Sequence, residues 1–72
     1  MMVEKFFIDT DYIRLDNLMK YAGAVDTGGQ AKLEIQGGFV KFNGEICTMR
    51  GKKVRAGDTV EYDGKKYEVY GD

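Results

Sequence analysis

Histidine and proline are absent from this 72-residue chain, and cysteine occurs once. Without histidine, metal sites built from Cys and His have no conventional ligand set, and neither Ser–His nor Cys–His nucleophile pairs can form. A lone Cys47 allows no intramolecular disulfide and reads as a small buried hydrophobe. Without proline, turns must rest on Gly, Asn and Asp. No apolar run approaches the roughly 20 residues that a membrane helix needs. Met1 to Phe7 carries Glu4 and Lys5 where a signal peptide would be continuously apolar. These absences lead us to expect a cytoplasmic protein with no cofactor, no metal, no catalytic residues and no membrane partner.

What remains is a composition of 43% hydrophobic and 32% charged residues, that of a folded chain and not of a disordered one. One domain covering residues 1–72 is expected. A chain of this length buries only about 60% of the surface exposed when unfolded, which leaves little room for a deep catalytic pocket. The formal net charge is −1 and the pI about 5.4, whereas a basic domain is the usual footprint of nucleic-acid binding. The distribution is uneven, however. Residues 27–56 hold Lys32, Lys41, Arg50, Lys52, Lys53 and Arg55 against Glu34 and Glu45, while both flanks are acidic. Such asymmetry can build a local positive surface on an acidic protein.

Val3 to Ile8 is a short run of β-branched and aromatic residues and predicts a strand. From Ile13 the period changes: Leu15, Leu18, Met19 and Ala22 recur at helical spacing, and Gly23 is a natural stop. Thr27 predicts the N-cap of a second helix, with Gln30 at the capping-box position and Gly37-Gly38 ending it. Asn43-Gly44 between apolar runs predicts a type I′ hairpin, with Val40 and Phe42 on one face and Phe39, Lys41 and Asn43 on the other. Arg50 to Gly57 is a basic connector anchored by Val54. A second hairpin turns at Asp63-Gly64, with Val60, Tyr62, Tyr67 and Val69 inward. The expected fold is α+β, with two short helices packed on a small, mostly antiparallel sheet.

Three features bear on function. The second helix begins with Gly28 and Gly29, which let an anion approach unpaired backbone N–H groups; Lys32 follows one turn on. The Gly-Lys-Ser/Thr ending of a Walker loop is missing. The connector places Arg50, Lys52, Lys53 and Arg55 within six residues, and phosphate contacts there would release counterions. In an extended strand Lys53 sides with Arg55 and Lys52 with Arg50. Of the aromatics, Phe6, Phe7, Phe42, Tyr62, Tyr67 and Tyr70 read mostly as core, while Tyr12, Tyr21 and an outward Phe39 stay open as surface rings.

The order of motifs resembles the S-four-type (alpha-L) RNA-binding domain. That family reads Arg-Leu-Asp, then Ser-Arg-x-x-Ala, then Gly-x-Val-x-Val-Asn-Gly, then Gly-Asp before a strand. Here the sequence has Arg14-Leu15-Asp16, Thr27-Gly28-Gly29-Gln30-Ala31, Gly38 through Gly44 and Gly57-Asp58. The likeness runs from Ile13 to Tyr62 and is strongest to small stand-alone bacterial members. It implies recognition of structured RNA through Arg14 and Asp16, through Thr27, Gly28, Gln30 and Lys32, through Lys41 and Asn43, and through Arg50, Lys52, Lys53 and Arg55. One departure is Gly28, where the family pattern has Arg. The implied partners are ribosomal or other structured RNA and ribosomes or their assembly intermediates, without DNA. The alternative is a protein-interaction adaptor that keeps the fold without RNA. A ubiquitin-like sulfur carrier would need a Gly-Gly C-terminus, and this chain reads Gly71-Asp72.

Overall fold

The computed structural model describes residues 1–71. Its elements are β1 (Met2–Ile8), β2 (Ile13–Arg14), α1 (Leu15–Tyr21), α2 (Gly28–Gln36), β3 (Val40–Phe42), β4 (Glu45–Ile46), β5 (Lys53–Val54), β6 (Thr59–Tyr62) and β7 (Lys65–Gly71). Five strands form one sheet in the order β1-β7-β6-β3-β4, while β2 and β5 pair separately. All pairings are antiparallel except β1 with β7, which runs parallel from Met2↔Lys65 to Ile8↔Gly71. The expected α+β architecture holds.

Local chemistry explains the boundaries. Asn43 and Gly44 sit at φ 51 and 87, and Asp63 and Gly64 at φ 52 and 76. Both pairs thus take the left-handed backbone that a two-residue hairpin turn demands. Gly23 and Gly38 lie at φ 79 and 85 and end the two helices in the same manner. After α1, Ala24 N–H bonds Met19 C=O and Gly23 N–H bonds Lys20 C=O; after α2, Phe39 and Gly38 bond Glu34 and Ile35 likewise. These are Schellman closures, which need αL at that one residue. Thr27 Oγ1 accepts from Gln30 N–H at 3.0 Å, as its N-cap position predicts.

Alternation along the strands selects the core. Val40, Val60, Tyr67 and Val69 meet Leu15, Leu18, Met19, Ala31 and Ile35 from the helices, and Val54 joins them with no exposed surface. The pattern corrects two aromatic assignments. Phe6 and Ile8 point inward on β1, so Phe7 points outward; Tyr67 and Val69 do so on β7, which turns Tyr70 outward. These two rings stack on the sheet's far side, 5.5 Å between centroids. Cys47 is half-buried at the edge of the core.

Tyr62 ties helix to sheet. Its hydroxyl donates to Glu34 Oε1 at 2.8 Å. That bond to a carboxylate, aided by burial, pushes the phenol up to about 12. A folded-state value above the ordinary 10.0 means that the contact stabilises fully below pH about 10 and is lost as pH rises toward about 12. Tyr62→Phe should therefore cost about 1 kcal/mol in urea unfolding at pH about 9. The wild-type advantage should vanish near pH 12; a gap that is constant with pH would contradict this account.

Candidate functional site

The site begins with an uncapped helix. Arg14 precedes α1 in extended conformation and gives no side-chain cap, so the first N–H groups need other acceptors. The basic connector supplies them. Leu15 N–H donates to Lys52 C=O at 2.9 Å and Asp16 N–H to Arg50 C=O at 3.1 Å, while Lys52 N–H closes a turn on Met49 C=O. Asn17 N–H is taken by Asp16 Oδ1 at 2.8 Å. The connector is thereby fastened by its own backbone to the head of α1.

The same carboxylate arranges the cations. Asp16 is 4% exposed. Its Oδ2 accepts from Arg50 Nε at 2.9 Å and from Arg14 Nη2 at 3.2 Å. A carboxylate removed from water costs several kcal/mol unless paired and hydrogen-bonded, and two guanidiniums with one amide meet that need. Two positive charges on one negative leave the cluster cationic. The far end of Arg50 then reaches the second helix: its Nη2 lies 4.0 Å from where a Gly28 Cβ would stand. The positive end of α2 and the connector therefore share one face. The side chain of Gly28 is missing, yet a guanidinium occupies the adjoining space.

Beyond this cluster lies the β2·β5 ribbon, with Ile13 opposite Val54 and Arg14 opposite Lys53. Val54 is buried and Ile13 packs against the core. Successive side chains alternate, so Tyr12, Arg14, Lys53 and Arg55 share the outward side. Lys53 Nζ stands 5.0 Å and the Arg55 guanidinium 6.0 Å from the Tyr12 ring centroid. Lys52 turns away and rests over Phe42 at 5.0 Å.

The other expected residues lie apart or have local duties. Thr27 caps α2, and Gln30 Oε1 accepts from Asp26 N–H at 3.1 Å. Lys32 is exposed on α2. Lys41 projects from the sheet face away from the helices, opposite Glu61. The Asn43 side chain is engaged with Asp58 and Thr59. Among the described residues, no group of three or more His, Cys, Asp or Glu could hold a metal ion, and no helix is long and apolar enough to cross a membrane.

A family model described as "S4 domain" matches residues 6–70 and so takes in every element of this face. The chain belongs to the S4 domain family. This is the RNA-binding family that its motif order resembles. "Probable ribosome maturation protein RlbA" of Bacillus subtilis (strain 168) is 36% identical over 63 residues, which cover 88% of this chain and 89% of its own. "Putative RNA-binding protein YbcJ" of Escherichia coli (strain K12) is 36% identical over 58 residues, covering 81% and 83%.

Within the S4 domain, the reading of residues alone did not find β2 or the place of Tyr12 above the cations. The signal was present as two matching triplets, Tyr12-Ile13-Arg14 and Lys53-Val54-Arg55, each with one apolar residue between polar ones. Nor did spacing reveal that Asp16, expected among the RNA contacts, is buried beneath two arginines.

Proposed function

We propose that this protein is a single-domain binder of structured RNA, ribosomal or ribosome-associated, working in the cytoplasm without catalysis of its own. The observation that carries the reading is the Arg50 guanidinium, oriented by Asp16 and lying against the head of α2. It concentrates positive charge on one side of a chain whose net charge is −1. A-form RNA offers phosphates and 2′-hydroxyls across a wide, shallow minor groove, which is read by shape and backbone contact. A firm, shallow cationic face suits that target. Family membership supports the RNA, and the name of the Bacillus subtilis relative supports the ribosome.

Arg14, Arg50, Lys53 and Arg55 are the proposed phosphate contacts, with Gly28 admitting the backbone. Asp16 serves by positioning. If each cation neutralises one phosphate, the log–log salt slope is about −3, and affinity falls roughly 50- to 150-fold between about 50 and 200 mM salt. Fluorescence anisotropy with a labelled, base-paired RNA hairpin measures it. No binding at about 50 mM salt, or binding indifferent to salt, overturns the reading in favour of an adaptor that meets proteins.

A further inference from the structure

The outward side of the β2·β5 ribbon carries one residue that phosphate binding does not use. Tyr12 is 41% exposed although it stands among cations. Thr10 Oγ1 donates to the Tyr12 C=O at 2.9 Å. Beside it lies an open depression of about 470 Å³, lined by Thr10, Asp11, Tyr12, Ile13, Arg14 and Asn17. The depression thus combines a ring with acceptors and donors on Asp11 and Asn17, and with a guanidinium on Arg14.

We propose that Tyr12 and this depression form a binding site for one unpaired nucleobase of the RNA, a site that rests on the RNA reading above. The chemistry favours a base over a further phosphate. A phosphate can take only the hydroxyl's hydrogen bond and leaves the ring face unused, whereas every base has a π-face that stacks on an aromatic side chain irrespective of sequence. Bases within a continuous duplex are stacked on each other and offer no such face; unpaired ones in bulges and loops do. Lys53 and Arg55 stand over the Tyr12 ring; as exposed side chains they can swing from it to the phosphates flanking an extruded nucleotide when the base takes their place. Asp11 and Asn17 can hydrogen-bond its polar edge. The ribbon would thus tell a bulged stem from a smooth one by the unpaired base itself, which backbone contact does not touch.

The experiment compares two labelled hairpin RNAs of the same stem, one fully paired and one carrying a single unpaired adenosine, by anisotropy at about 50 mM salt. The wild-type protein should prefer the bulged RNA by about 5- to 150-fold, the range that stacking on one aromatic residue supplies. Tyr12→Phe should keep the preference. Tyr12→Leu should abolish it while still binding the paired stem, and thermal unfolding of this exposed-site variant confirms that it is folded. Wild-type protein that binds both RNAs equally, or a preference that survives in Tyr12→Leu, overturns the base site and leaves the RNA reading standing. Failure of the wild-type protein to bind either RNA overturns both.

Discussion

Asp16→Ala is expected to weaken RNA binding by about 5- to 150-fold, although it removes a negative charge from a face that meets a polyanion. Coulomb's law alone predicts the opposite sign: at an effective dielectric constant of about 20, a unit charge about 4 Å away is worth about 4 kcal/mol. Here that attraction is spent on geometry. Oδ2 engages Arg50 through Nε, which leaves Nη2 beside the head of α2, and it engages Arg14 at the same time. Without the carboxylate both arginines regain their rotamers. Immobilising each again on RNA costs about 0.5–1.5 kcal/mol, or about 1–3 kcal/mol for the pair. The variant also orphans the Asn17 N–H. Because the arginine side chains are 49% and 37% exposed, solvent screens much of the loss, and about 2 kcal/mol of stability is expected to go. Asp16→Asn keeps an acceptor for Asn17 and should retain more stability than affinity. Urea unfolding and anisotropy read the two effects separately. Binding that is unchanged or tighter in stably folded Asp16→Ala would refute the positioning role.

The double reversal Lys53→Glu/Arg55→Glu should lower affinity by more than about 100-fold at about 100 mM salt and flatten the salt slope by about 1.4–1.8, the share of two phosphates. Both residues are exposed on the outward side of the ribbon, with Tyr12 as their aromatic neighbour. Their replacement should move stability by no more than about 0.5 kcal/mol. Lys41→Glu provides the contrast. It makes one charge reversal on the sheet face turned away from the helices, and its expected effect on affinity is below about threefold. Equal losses at Lys41 and at the ribbon would mean that net charge, not a located face, governs binding.

Both hairpins were legible because their turns are decided within two residues: Asn43-Gly44 and Asp63-Gly64 accept a backbone that other pairs resist. The N-cap at Thr27 was legible because its bond closes only three residues on, at Gln30, and the anchor at Val54 because it is the one large apolar residue in the basic connector. β2 was not. Ile13 and Arg14 run straight into α1, and they are a strand only because Lys53 and Val54 come to lie beside them. Parallel pairing of β1 with β7 is equally non-local. Alternation turns Phe7 and Tyr70 outward, but that the two rings meet depends on this pairing, which sets Phe7 opposite Tyr70. The candidate site divides along the same line. The cations of the connector were visible as a run, whereas their union with α2 depends on Asp16, whose burial no spacing discloses.

The parallel pair has a consequence for biosynthesis. Met2 must wait for Lys65, and Ile8 for Gly71. At about 5–20 residues per second, the nascent chain emerges with β1 lacking its sheet neighbour for roughly 3–13 seconds. An unmatched strand edge invites foreign strands during that interval; Glu4 and Lys5, set in the middle of β1, are charges that discourage them. Assembly of this sheet is therefore gated by β7, which is made after the six strands that precede it, and loss of β7 during synthesis would leave β1 without its sheet neighbour.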